Sequence, residues 1–168
     1  EEYDTQLRYE IFKMYLSKLN RVNEKSVSKL VEKYYDSLKD TMLNKRKLMT
    51  QLSDKAHHGG PCIPGAHRLF MDVDGNFYPC ERVSENSEPM HIGHVDTGFN
   101  YEKIRRLLNV GELTKESCIN CWAFSFCSLC AAYADNLDEL SKEKKVSNCN
   151  LVRASLDYNL KDYCMFNE

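Results

Sequence analysis

The sequence lacks an excess of charge of either sign: 23 Lys and Arg stand against 25 Asp and Glu, a formal net charge of −2. That removes the basic field on which nucleic-acid binding depends. It also lacks an apolar run of membrane-spanning length, so neither nucleic acid nor a membrane is expected as a partner. Repeats and low-complexity segments are missing as well. The opening Glu1-Glu2-Tyr3-Asp4 has no initiator Met, no positively charged n-region and no apolar h-region, and reads as the start of an excised piece of a longer chain. What the sequence holds in unusual number is cysteine, eight in 168 residues. In a short secreted protein eight cysteines form a disulfide framework. In a longer chain, rich in Lys and Glu and built mostly of helix-forming segments, they fit a reducing cytosol. The length suits one domain of ordinary size plus a helical extension.

The cysteines concentrate in Cys118-Ile119-Asn120-Cys121-Trp122-Ala123-Phe124-Ser125-Phe126-Cys127-Ser128-Leu129-Cys130, where two Cys-x-x-Cys steps face each other across a mostly apolar bridge. Thiolates are soft ligands, and a two-residue gap lets one turn of backbone aim both sulfurs at a single thiophilic ion or cluster. A redox Cys-x-x-Cys pair normally sits alone in a thioredoxin-like βαβ pattern, which this chain does not show. Further cysteines on both sides of the segment can fold back onto it, so metal or cluster binding is the expectation.

From Asp4, the residues Leu7, Ile11, Met14, Tyr15 and Leu19 recur at helical spacing. A second helix is expected from an N-cap at Asn23, carrying Val27, Val31, Tyr34, Leu38, Met42, Leu48 and Leu52, and pairing with the first. The Lys45-Arg46-Lys47 run on it reads as a solvated face before it reads as a phosphate patch. Ala56-His57-His58-Gly59-Gly60-Pro61 stops the helical pattern and marks a boundary. Beyond it, Arg68–Val73 and Asn76–Cys80 flank Asp74-Gly75, which predicts a hairpin with a type I′ turn and brings Cys62 towards Cys80. Asp72 and Asp74 belong to that turn, and Glu81 and Arg82 read first as an ion pair. A short β-prone stretch, Met90–Val95, precedes a helix from Asn100 with Ile104, Leu107 and Leu108, stopped at Gly111. After Cys130 a helix is expected through Leu137 and Leu140, then a charged loop at Lys142-Glu143-Lys144-Lys145 returning the chain to Cys149. A final helix uses Val152, Leu156 and Leu160 and leaves Cys164 near its end. The class is therefore α+β: a small cysteine-rich β-hairpin and helix domain over 59–168, preceded by a helical hairpin over 1–58.

The cysteines run Cys62-x12-Gly75-x4-Cys80, a gap, Cys118-x2-Cys121-x5-Cys127-x2-Cys130, a second gap, then Cys149. This pattern resembles the seven-cysteine signature of the SPASM domain, the auxiliary-cluster extension of many radical S-adenosylmethionine (SAM) enzymes that modify peptides. The likeness spans roughly residues 60 to 150. Gly60-Pro61-Cys62, Phe77-Tyr78-Pro79-Cys80-Glu81-Arg82 and Cys121-Trp122-Ala123-Phe124 look like the maturases of ranthipeptide type, which act on cysteine-rich precursor peptides to form thioether cross-links. One departure stands out: the family's usual third step is three residues, whereas two separate Cys127 from Cys130, which changes the direction in which Cys130 projects.

The resemblance implies two [4Fe-4S] clusters with interleaved ligands. Cys62, Cys80 and Cys130 would hold the first auxiliary cluster, and Cys118, Cys121, Cys127 and Cys149 the second. A fourth ligand to the first would be a substrate thiol at an open iron, Cys164, or one of His57, His58 and His67. Trp122, Phe124 and Phe126 are expected to shield a cluster from water. The SAM-cleaving Cys-x3-Cys-x2-Cys motif is absent from the sequence. The implied role is thus the cytoplasmic auxiliary domain of a maturase that acts on a ribosomal peptide, with SAM bound by a barrel elsewhere in the parent chain. In that role the clusters would relay electrons or anchor the precursor peptide. The competing reading is a cytosolic zinc module with all-thiolate structural sites that binds a partner.

Overall fold

The computed structural model describes residues 1–40, 42 and 59–167. The Lys45-Arg46-Lys47 run, the His57-His58 pair and the expected continuation of the second helix through Leu48 and Leu52 lie outside the described residues. The chain divides into two compact units, Glu1–Thr50 with Ser155–Glu168, and Gln51–Ala154. Among the described residues no helix is long and apolar enough to cross a membrane.

In the first unit, helix α1 (Glu2–Lys18) ends in a Schellman motif. Asn20 takes a left-handed φ of 55°, its N–H donates to the Ser17 carbonyl, and Arg21 N–H donates to that of Leu16. The second helix does not start at Asn23. The Asn23 side chain instead caps a single 3-10 turn, Glu24–Ser26, and Ser28, in extended backbone, caps α2 (Lys29–Lys39) by accepting from Leu30 N–H at 3.3 Å. Two capping side chains five positions apart resolve the connection into a turn and then a helix. The expected pairing is present: Ile11 and Met14 of α1, Val27 of the connection, and Val31 and Tyr35 of α2 form one buried cluster. Asp162, only 7% exposed, accepts from Tyr15 Oη at 3.0 Å and Tyr34 Oη at 3.4 Å. Burial, followed by the Asp162 carboxylate, pushes the Tyr15 phenol well above its ordinary range.

The second unit is built on a four-stranded antiparallel meander, β1 (Phe70–Met71), β2 (Asn76–Tyr78), β3 (Gly93–His94) and β4 (Gly98–Phe99), in that spatial order. Phe70 pairs with Tyr78, and Phe77 with Gly93. The first hairpin forms where expected, but its turn is not type I′. Only Gly75 has a positive φ, 88°, and Asp74 does not. The Gly75 N–H reaches the Asp72 carbonyl and Asp72 N–H reaches that of Asn76, a longer loop with glycine in its left-handed position. Asp72 dictates this outcome, because its carboxylate accepts from Asp74 and Asn76 N–H, Asn76 Nδ2 and Tyr78 Oη. Both aspartates therefore serve the turn.

Helix α3 (Tyr101–Leu108), capped by the Asn100 side chain on Lys103 N–H, lays Leu107 and Ile104 on a core of Tyr78, Met90 and Ile92. The segment after Cys130 differs from expectation. A 3-10 turn, Ala131–Tyr133, gives way to a tight reversal in which the buried Asp135 accepts from Ser87 Oγ and Leu137 N–H, with Leu137 at φ 70°. The charged stretch is a helix, α5 (Lys142–Ser147), capped by Ser141, and α6 (Cys149–Asn167) follows it. An aspartate that bonds to the backbone two residues on favours a turn over a continuing helix, and the serine then restarts one.

Met90 and Ile92 are fully buried, whereas Val73 is completely exposed. Met90→Ala should destabilise this unit by roughly 2–5 kcal/mol in urea denaturation, and Val73→Ala by less than about 0.5 kcal/mol. Similar losses from both substitutions would contradict this placement of the core.

Candidate metal centre

Four cysteines from two separate stretches, the dense segment and the residues after α5, line one small, mostly apolar cavity: Cys118, Cys121, Cys127 and Cys149. Cys118 is the last residue of α4 (Lys115–Cys118), a single helical turn entered from a buried 3-10 turn, Val110–Thr114. Cys121 N–H donates to the Cys118 carbonyl at 3.0 Å, so the chain doubles back between the first two sulfurs. A further turn, Phe124–Phe126, leads to Cys127 in extended backbone. Cys149 opens α6, where the positive end of the helix dipole favours a thiolate. Ala123, Phe124 and Leu129 complete the apolar wall. Trp122, by contrast, is 56% exposed and does not shield the site.

Two cations that sequence reasoning passed over lie in the same wall. Lys145 of α5, in the stretch expected to be a charged loop, is only 2% exposed, and its Nζ lies 3.5 Å from the Val110 carbonyl oxygen. Arg153 of α6 donates from Nη2 to Cys121 Sγ at 3.7 Å. Their one sequence signal was spacing. Arg153 stands four residues after Cys149, which in helical backbone puts those two on one side, and Lys145 stands four before it. Thr114, also buried, accepts from Cys118 Sγ at 3.4 Å through its hydroxyl.

These groups act on one another. Burial pushes the Cys127 thiol up, neighbouring Cys118 and Cys149 add to the rise, and Lys145 opposes it. Cys149 is likewise raised by burial and by Cys118 and Cys121, against the pull of Arg153 and Lys145. Burial lowers Lys145, while Cys118, Cys127, Cys149 and Cys130 hold its ammonium form in place. Such a site keeps its protons until a thiophilic cation displaces them.

For Cys62, Cys80 and Cys130 the neighbouring residues, not the sulfurs themselves, are what meet. A Cβ on Gly60, at φ 87°, would stand 2.9 Å from both Cα and Cβ of Cys130, so the strand entering Cys62 is pressed against Cys130. Arg68 Nη1 donates to Glu81 Oε1 at 2.6 Å, drawing the loop after Cys62 to the residue that follows Cys80. Glu81 thereby pairs with Arg68 more closely than with Arg82, which is 3.8 Å away. Cys62 is exposed, and His67 Nδ1 accepts from Ile63 N–H, which commits that face of the ring to the loop. Cys164 is exposed on α6 in the first unit. None of the eight cysteines is in a disulfide. Among the described residues no three His, Cys, Asp or Glu side chains are disposed to hold one metal ion.

In the metal-free chain, iodoacetamide at pH 8 should label the exposed Cys62 and Cys164 first, with Cys127 and Cys149 roughly tenfold slower. Equal rates would contradict the burial of the four-thiol site. The two raised thiols stabilise the fold fully below the ordinary thiol pKa, and lose that contribution as pH rises through their raised values. The depressed Lys145 works in the opposite sense, so the fall in stability above about pH 8.5 should be steeper in Lys145→Met.

Comparison with protein-family models, with curated proteins and with solved structures finds no match to this chain.

Proposed function

We infer that this chain is an iron-sulfur domain in which Cys118, Cys121, Cys127 and Cys149 ligate one [4Fe-4S] cluster and Cys62, Cys80 and Cys130 a second. The observation that supports the reading is the convergence of three thiols of the dense segment and one from the start of α6 on one apolar cavity flanked by two cations. When bound, such a group supplies one-electron transfer at a potential set by ligation, burial and hydrogen bonds to sulfur. The residues do the rest: Ala123, Phe124 and Leu129 keep water from the thiolates, Thr114 and Arg153 hold Cys118 and Cys121 in place, and Lys145 offsets their charge. The cysteine spacing supports the wider role of a cytoplasmic auxiliary domain in a radical SAM enzyme that modifies a cysteine-rich ribosomal peptide, with thioether formation as the reaction. Within that role the Cys62 sulfur, exposed to solvent, is on the side a peptide can approach.

A zinc module is the second reading. Four thiolates about 2.3 Å from one zinc must crowd within roughly 4 Å of one another. The cavity wall carries four thiols and no histidine or carboxylate, a donor set that zinc accepts as readily as an iron-sulfur cluster.

Iron, sulfide and zinc analysis of the chain after anaerobic reconstitution separates the two. About eight irons and eight sulfides per chain are expected, falling to roughly half in Cys149→Ala. Retention of zinc alone under the same conditions would overturn the iron-sulfur assignment.

A further inference from the structure

We propose that Lys145 and Arg153 are positioning residues that raise the reduction potential of the centre held by Cys118, Cys121, Cys127 and Cys149, by placing two cations against its thiolate ligands. This rests on the reading of those four thiols as ligands to an iron-sulfur cluster.

A lysine with 2% exposure calls for explanation, because an ammonium withdrawn from water is destabilising unless an anion accompanies it. Its helix does not require the burial: Lys142 and Lys144 on the same α5 turn outward and are exposed. Lys145 alone of the three enters the wall shared by Cys118, Cys121, Cys127 and Cys149. Arg153 comes from a different helix and approaches a different sulfur, Cys121, at 3.7 Å. Cations thus flank the thiols from α5 and from α6, and among the described residues of the wall Lys145 and Arg153 are the charged ones.

Adding one electron to a thiolate-ligated centre increases its negative charge by one. In a poorly solvated cavity that increment is screened weakly, so a fixed cation nearby stabilises the reduced form more than the oxidised one. An N–H donor on a ligand sulfur acts in the same direction. A lysine present only to lay its methylene stem over the core would leave the potential unchanged when replaced by an apolar chain of similar length.

The test is an EPR-monitored potentiometric titration with dithionite as the electron donor. It uses the full chain reconstituted anaerobically with ferrous iron and sulfide. Lys145→Met should move one midpoint potential to a more negative value while iron and sulfide content stay at the unsubstituted level, and Lys145→Arg should restore it. Arg153→Gln should shift the same potential in the same direction by a smaller amount, and Lys144→Met should shift nothing. Unchanged potentials in fully loaded Lys145→Met and Arg153→Gln would overturn the proposal while leaving the cluster assignment intact. Should Lys145→Met fail to fold or load, Arg153→Gln decides, an unchanged potential again counting against the proposal. Failure of the unsubstituted chain to take up iron and sulfide would remove the cluster reading, and the proposal with it.

Discussion

The structure depends on packing half-buried, acidic sulfurs around a buried basic nitrogen. Cys127 and Cys149 are pushed towards their neutral forms by burial, and so is Lys145, but each favours the charged form of the other. Neither charge is stable in that cavity by itself. The surrounding architecture is what keeps them in company. The Val110–Thr114 turn and α4 deliver Cys118, the doubled-back loop delivers Cys121 and Cys127, α5 carries Lys145 inward, and α6 starts at Cys149. On the proposed reading a thiophilic metal centre would relieve the conflict, because it would take the place of the thiol protons and supply a negative group for the ammonium to face.

The sheet has a supporting part. Its meander fixes the end of β2 and so the position of Cys80, and its core of Tyr78, Met90, Ile92 and Leu107 holds α3 ahead of the buried turn that enters the site. At the other entrance, Gly59 and Gly60 allow the chain to run closer to Leu108 and Cys130 than any side chain would permit. A Cβ at Gly59 would meet the Leu108 carbonyl oxygen at 2.7 Å. The glycine pair that reads as a domain boundary is therefore also a packing requirement.

What was legible in the sequence was mainly what is encoded locally. Period-3.6 apolar residues marked α1 and α2, Asp-Gly marked the first hairpin, and the dense segment held three of the four thiols that line the cavity. The losses have physical causes. Asp72 makes four hydrogen bonds across its turn and selects a longer loop than Asp-Gly alone suggests. Asp135 ends a helix that Ala131–Leu140 composition favoured, since its carboxylate bonds both Ser87 and Leu137. Lys145 was read as part of a charged loop, and only the position of α5 beside the thiols sets it apart from Lys142 and Lys144. Trp122 was read as a shield because aromatic residues beside cysteines often are one, yet Ala123 and Phe124, not the indole, face the cavity.

The central claim is that sulfurs from distant parts of the chain bound one inorganic centre beside Lys145. Anomalous diffraction at the iron absorption edge, from crystals grown without oxygen, addresses it most directly. Iron density enclosed by Cys118, Cys121, Cys127 and Cys149, with the Lys145 ammonium alongside, is the expected result. Iron bound elsewhere, or density at that position arising only above the zinc edge, would contradict it.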